Sequence, residues 1–478
     1  MLIFILLKAD TPANCVQDMF LGTWSVHISS EIFRPKNDQV TCPDKFNTSE
    51  QFEFILLERG VAISSQGNVR SGRWSPDANQ GFEVRFGGRV FFFFSDYDEH
   101  NVSHCRRTKV GYVHDDGLLN QKFRCAYANN TKPTVSEMKP LLSAYEDPEG
   151  HNLWVGSPLP KNFTLRNVNG KSYLPKVFNQ ENCGSCYAAA STQAMMSRVM
   201  VASNLSSPLG QTEFLSVQHI VDCSIYSQGC HGGFGEQVSK FSEDFGILTV
   251  DDYSPYMSAK GECKPKNQNG KRYHFTGQNY LGGYFGADNT VESMQWELYR
   301  YGAFPVSVYV DSQKHENGTS FSDFKSCKRT TAFAGAKPVI PNFPELTPQQ
   351  VIDKDGRHYY IKKTNHLVLL TGWGSDDEGD YWEIMNSWGD GWCDNGFIRV
   401  QRGTNSYNVE SAPIVFYWAG DNVQPPTENK QFYVSQGAFN TLIAFCVIFG
   451  VAVICLVVVL IFKLKSKKQY QQPQLIDI

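Results

Sequence analysis

Thr441 to Phe462 reads TLIAFCVIFGVAVICLVVVLIF, 22 residues without a charge. At 1.5 Å per residue a helix of that length spans about 33 Å, enough to cross a hydrocarbon core of ~30 Å. Lys463, Lys465, Lys467 and Lys468 follow at once, and basic residues flanking a span stay in the cytosol. One transmembrane helix over 441–462 is therefore expected, with 463–478 as cytoplasmic tail and everything before it in the lumen or outside the cell. Six Asn-x-Ser/Thr sequons, at Asn47, Asn101, Asn129, Asn162, Asn204 and Asn317, all lie on that side and are candidate glycosylation sites. Met1 to Leu7 is apolar without a basic flank and is followed by Ala9, so residues 1–9 read as a signal-peptide remnant.

This topology decides how the cysteines are read. Eleven of the 13 precede the span, in a compartment where disulfides persist. With 44 Lys plus Arg against 48 Asp plus Glu, and no basic run before the tail, nucleic acid is excluded as a partner. From Asp10 to about Asn129 short β-rich runs (TWSVHIS, QFEFILLE, GFEVRFGGRVFFFF, KVGYVHD) alternate with Gly, Asn and Asp turns, the pattern of an antiparallel sheet or barrel. Cys15, Cys42, Cys105 and Cys125 in this stretch allow two bridges in any of three pairings. A polar, Pro-containing segment over 131–158 reads as a linker. Residues 159–420 mix helix and strand patterns, with a helix expected from Tyr187 to Ala202 and strands at Val306–Val310, Leu367–Thr371 and Tyr381–Met385. Residues 421–440 form a polar stalk before the membrane.

The chemistry starts at Cys183-Gly184-Ser185-Cys186, directly before the Ala-rich helix. A thiol at a helix N-terminus is stabilised as thiolate by the N–H groups there. Two readings compete: a C-x-x-C redox pair, or one nucleophilic cysteine with Cys183 held in a structural bridge. The second needs a distant His and an orienting amide, and both are present. His366 opens the apolar run LVLLTGWG, and Asn386-Ser387-Trp388-Gly389 follows the strand YWEIM. Asn386 can orient the imidazole while Trp388 shields it. Gln180 offers a side-chain N–H that, with the backbone N–H of Cys186, would form an oxyanion hole.

These segments, with Gly229-Cys230-His231-Gly232-Gly233, resemble the papain family of cysteine peptidases. Asp10-Thr11-Pro12-Ala13-Asn14-Cys15, Leu21-Gly22-Thr23-Trp24, Asn79-Gln80-Gly81-Phe82-Glu83 and Gly111-Tyr112-Val113-His114-Asp115 further resemble the exclusion domain of the cathepsin C (dipeptidyl peptidase I) group within it, as does Tyr187 after the nucleophile. The resemblance covers roughly 10–129 and 159–418. It implies an α+β chain: an antiparallel β-barrel exclusion domain over 10–130, a papain-like two-lobed peptidase over 159–420, then the single transmembrane helix. It pairs Cys15 with Cys105, Cys42 with Cys125, Cys183 with Cys230 and Cys223 with Cys263. Tyr253 stands where one cysteine of a further family bridge would be, while Cys327 and Cys393 are left over.

The function implied is removal of dipeptides from free N-termini of peptides and proteins, with Cys186 as nucleophile, His366 as base, Asn386 as its orienter and Gln180 at the oxyanion. Asp10, matching the family's mature N-terminus, would bind the substrate ammonium. A plain endopeptidase and an inactive peptidase-fold receptor are the alternatives. No metal is expected. A chloride ion is implied by the resemblance, on the N–H of Phe234 and the hydroxyl of Tyr280, but Glu236 takes the third position. A carboxylate roughly 5 Å away would repel chloride by about 3 kcal/mol at an effective dielectric of 20, unless Glu236 opens a helix and faces solvent. The expected location is the lysosomal or endosomal membrane, or the cell surface, in type I orientation. Soluble members of the cathepsin C group assemble as tetramers, and the anchor leaves the oligomeric state of this chain open.

Overall fold

The computed structural model describes residues 11–64, 71–117, 122–134, 159–282, 289–310, 349–352, 358–361, 364–377 and 379–420. The expected transmembrane span, stalk and tail, Asp10, Asn317 and Cys327 lie outside these residues. Among the described residues no helix is long and apolar enough to cross a membrane.

The first half is built of strands, with two short 3-10 turns at Gln17–Phe20 and Glu58–Gly60: β1 (Gly22–Ser29), β2 (Thr48–Leu56), β3 (Val61–Ser64), β4 (Ser71–Asp77), β5 (Gly81–Phe86), β6 (Arg89–Tyr97), β7 (Ser103–Thr108), β8 (Gly111–Asp115) and β9 (Arg124–Pro133). All are antiparallel, and pairing of β1 with β9 closes the sheet into a barrel. β9 runs on to Pro133, so the barrel takes in residues that read as linker. Trp24, Val26, Ile28, Phe54, Phe82, Phe91 and Phe93 fill the interior. In β6 the run of four phenylalanines serves two faces, because successive strand residues point to opposite sides. Phe91 and Phe93 enter the barrel core, while Phe92 turns outward and packs on Tyr226 of the second half, ring centroids 4.7 Å apart.

The second half contains β10 (Phe163–Thr164), α1 (Cys186–Ala202), α2 (Val217–Cys223), α3 (Gly235–Phe245), the pair β11 (Ile247–Leu248) and β12 (Arg272–Tyr273), β13 (Phe275–Tyr280), α4 (Val291–Tyr301), β14 (Phe304–Val308), the hairpin β15 (Gln349–Ile352) and β16 (His358–Ile361), β17 (His366–Asp376), β18 (Gly379–Met385), β19 (Phe397–Gln401) and β20 (Ile414–Trp418). β10, β17, β18 and β19 lie in that order in one sheet, with β14 also paired to β17. Alanines 188, 189, 190 and 194 let α1 pack closely and become buried, and it lies against β17 and β14. Arg198 fixes the helix in place. Its guanidinium meets Glu297 of α4 at 2.6 Å and donates to the carbonyls of Ala303 and Phe416 at 3.1 and 3.0 Å.

Bridges form between Cys15 and Cys105, Cys42 and Cys125, Cys183 and Cys230, and Cys223 and Cys263. Cys393 is also disulfide-bonded. Tyr253 is buried and donates to Asp222 Oδ2 at 2.8 Å, so an aromatic ring and a hydrogen bond occupy that position in place of a sulfur. The sequon residues Asn47, Asn101, Asn129, Asn162 and Asn204 are all exposed.

The two halves meet through charged and polar side chains. Arg85 of β5 pairs with Glu243 of α3 at 2.6 Å, and Lys240 of α3 lies 3.4 Å from Glu83. Asp38 of the first half contacts both His219 of α2 at 3.1 Å and Arg272 at 3.0 Å. Leu248 N–H donates to Nδ1 of His219 at 3.1 Å, so the ring's proton sits on Nε2, toward Asp38.

Removing one partner of a buried ion pair strands the other charge, at about 3–5 kcal/mol. Arg198→Ala should lose stability of that order in urea unfolding, and Arg198→Leu combined with Glu297→Leu should lose less than Arg198→Ala alone.

Candidate active site

α1 begins at Cys186, and its first turn presents N–H groups that have no partner within the helix. Cys186 is half-buried and not disulfide-bonded. The preceding Ser185 does not cap the helix with its side chain. Its hydroxyl instead contacts Tyr256 at 2.6 Å, and Tyr256 donates to the carbonyl of Gln180 at 2.9 Å. Tyr256 thus ties the residue before the thiol to the backbone of the oxyanion candidate. Sequence reading missed it, since nothing in the loop YSPYMS marks Tyr256.

His366 stands at the first position of β17, nearly buried, and its Nε2 lies 2.8 Å from Oδ1 of Asn386. That amide oxygen also accepts the Ser387 N–H at 2.8 Å, which fixes its orientation. An amide oxygen only accepts, so the imidazole proton is on Nε2 and Nδ1 is left as the basic nitrogen. Trp388 stacks on the ring with centroids 5.1 Å apart. Burial pushes the imidazole pKa down to about 4, against the pull of the Asn386 hydrogen bond.

Gln180 is held at both ends of its amide. Oε1 accepts from Ser387 Oγ at 2.6 Å, and Nε2 donates one hydrogen to the Cys183 carbonyl at 3.0 Å. The second hydrogen is the one available to an oxyanion. Gln180 N–H also donates to the Ser387 carbonyl at 2.8 Å, and Gly389 N–H to that of Phe178 at 3.0 Å. The loop carrying Gln180 and Cys186 and the loop carrying Asn386 are therefore joined by backbone as well as side chains. Ser387 is the second participant that sequence reading passed over, although it lies inside the Asn386–Gly389 motif.

Glu236, Phe234 and Tyr280 do come together, but not around a solvent-facing carboxylate. Glu236 is buried in the first turn of α3 and accepts the hydroxyl of Tyr280. Burial pushes its pKa up to about 7, while Tyr280 and the N–H groups of Glu236 and Ala78 favour the ionised form. The Phe234 N–H donates to Gln237 Oε1 at 3.1 Å. Both donors assigned by resemblance to chloride, the Phe234 N–H and the Tyr280 hydroxyl, have protein acceptors here.

The two-lobed fold, with a cysteine at the head of a buried helix and a histidine held by asparagine on the facing sheet, is that of a papain-like cysteine peptidase. Residues 159–335 and 349–417 match the papain family cysteine protease, and residues 10–130 match the cathepsin C exclusion domain. Cathepsin C of Schistosoma mansoni is 31% identical over 477 residues, covering 85% of this chain and 95% of that protein. Dipeptidyl aminopeptidase 1 of Plasmodium falciparum (isolate 3D7) is 27% identical over 328 residues, covering 54% and 44%. Cathepsin B-like cysteine proteinase 1 of Ostertagia ostertagi is 29% identical over 241 residues, covering 50% and 67%. The chain belongs to the papain family, in its cathepsin C branch, and is a cysteine-type dipeptidyl peptidase.

Loss of one oxyanion donor costs about 10² to 10³ in kcat, so Gln180→Ala should lower kcat by that factor in steady-state kinetics while Cys186 still reacts with an epoxide probe. The raised pKa of Glu236 sets a second expectation. Its stabilising contribution is complete below the unfolded value of 4.5 and is lost as pH rises through about 7. Glu236→Gln should therefore match wild type in urea unfolding near pH 4 and exceed it at pH 8.

Proposed function

We propose that Cys186, His366, Asn386 and Gln180 carry out the acyl transfer that releases N-terminal dipeptides. The observation that carries this reading is the His366–Asn386 hydrogen bond, which leaves Nδ1 basic, braced to the loop that presents Cys186. His366 Nδ1 takes the thiol proton as Cys186 Sγ attacks the scissile carbonyl carbon. The oxyanion accepts from Gln180 Nε2 and the Cys186 N–H. On collapse the C–N bond breaks, the leaving amine takes the proton from His366, and a thioester remains. Water attacks the thioester with His366 as base, releasing the dipeptide acid and restoring the thiol.

The barrel docked beside the peptidase half supports a cleft limited at one end. Asp10 supplies the limit: its carboxylate pairs with the substrate α-ammonium, a charge-assisted contact worth about 1.5–3 kcal/mol. With Phe234 N–H and Tyr280 already bonded within the protein, turnover needs no chloride. The run Thr441–Phe462 and the Lys-rich segment after it support a type I membrane anchor, with the peptidase on the luminal face of lysosomes or endosomes, or outside the cell.

The test is hydrolysis of a free-amine dipeptide substrate against its acetylated form, with and without chloride. Wild type should cleave only the free-amine form at an unchanged rate in either buffer, and Asp10→Ala should lose that preference. Equal cleavage of both forms by wild type would remove the dipeptidyl reading in favour of an endopeptidase.

A further inference from the structure

α3 carries Glu236, Gln237, Lys240, Glu243 and Asp244, a polar face that is buried rather than solvated. What covers it is the barrel. Lys240 reaches Asp244 at 3.0 Å and lies 3.2 Å from His114, and Arg85 meets Glu243. At the N-terminal end of the helix the contact is with the turn between β4 and β5. Gln237 Nε2 donates to Asp77 Oδ2 at 2.9 Å and to Gln80 Oε1 at 3.2 Å. The N–H of Ala78 favours the ionised form of Glu236. Ala78 is fully buried with φ of +45°, a conformation that costs a non-glycine residue energy and persists only where surrounding contacts hold it.

The same turn holds Asn14 and Cys15. Cys15 N–H donates to the Asn79 carbonyl at 2.7 Å, and Asn79 Nδ2 donates to Asn14 Oδ1 at 2.8 Å. On its other side the first turn of α3 sits against the site. A side-chain carbon at Gly235 would meet Ser191 Oγ of α1 at 3.2 Å and Leu367, the neighbour of His366, at 3.4 Å. Three short links therefore connect the N-terminal segment to the elements bearing Cys186 and His366.

We propose that the clamp of Gln237 on Asp77 and Gln80 is the positioning device that holds the segment leading into Cys15 in fixed relation to α1 and β17, and so sets cleavage two residues from the substrate amine. Gln237 and Asp77 are positioning residues and touch no reacting atom. The proposal rests on the reading in which the N-terminal segment recognises the substrate ammonium. Loosening the clamp weakens recognition of the amine and admits longer chains, without altering the chemistry at Cys186.

Asp77→Ala and Gln237→Met, the latter close in volume, should each raise KM for a free-amine dipeptide substrate about tenfold, the scale of one or two lost buried hydrogen bonds, with kcat little changed. Cleavage of an acetylated peptide should rise above wild type, and Cys186 should be labelled by an epoxide probe to the same extent as in wild type. Asp77→Asn keeps an oxygen acceptor for Gln237 and should retain wild-type selectivity. Unchanged selectivity in Asp77→Ala and Gln237→Met, a parallel fall of both activities, or an Asp77→Asn as loose as Asp77→Ala would each overturn the proposal. A wild type that ignores the free amine would overturn this proposal and the amine-recognition reading together, whereas a selective wild type with equally selective variants overturns the clamp alone.

Discussion

Ser387 and Gln180 share two hydrogen bonds in opposite directions, hydroxyl to amide oxygen at 2.6 Å and backbone N–H to carbonyl at 2.8 Å. One residue belongs to the loop leading into the nucleophile's helix and the other to the loop after β18. Because Gln180 is held by its oxygen and by one of its two amide hydrogens, the remaining hydrogen has little freedom of direction. That is the preorganisation an oxyanion donor requires. Ser387 also donates its N–H to Asn386 Oδ1, so the bond that fixes the oxyanion side is adjacent to the bond that fixes the imidazole proton. Donor and base are aligned through one residue, and the alignment depends on the two loops remaining joined.

The barrel is attached by a different kind of contact. A helix whose outer face reads Glu, Gln, Lys, Glu, Asp would ordinarily present it to water. Here Gln237, Lys240, Glu243 and Asp244 are matched by Asp77, Gln80, Glu83, Arg85 and His114 of the barrel, and Glu236 by Tyr280. Burial opposes ionisation of Asp244, yet His114, Lys240 and Tyr226 hold its carboxyl well below the ordinary range. Such an interface gains less from area than from pairing, and an unpaired group in it is costly. Its geometry is correspondingly specific: one orientation of the barrel satisfies the set.

Much of this was legible because the relevant periods are short. The alternation in TWSVHIS and QFEFILLE marks strands with one face in a core, and the Ala-rich stretch after Cys186 marks a helix that neighbours approach closely. The four-phenylalanine run reads as a strand, although not as one whose outer face meets Tyr226. Cys186, His366, Asn386 and Gln180 stood out because their chemistry needs neighbours of fixed type at known distances in the chain. The cysteine pairing could not be chosen from residues alone, where three arrangements stayed open for the barrel, and resemblance supplied it. Glu236 was undecidable between pocket and solvent, since its burial depends on Tyr280 and on the turn at Ala78, each far away in sequence. The polar seat of the barrel was invisible for the same reason. A charge on a helix reads as a solvated face until its partner, 157 or 158 residues away in the cases of Gln80 with Gln237 and Arg85 with Glu243, is known.

The outward-facing Phe92, packed on Tyr226 and 2% exposed, bears on how such an architecture is assembled. An isolated barrel would display this ring beside Glu83 and Arg85, which keep their pairing with each other but lose Lys240 and Glu243 of the helix, so the exposed surface would be adhesive. The barrel is thus poorly suited to circulate as a portable cassette. Fusion to its own peptidase in one polypeptide gives it the partner at the moment of folding, at a local concentration that two separate chains would have to reach by diffusion.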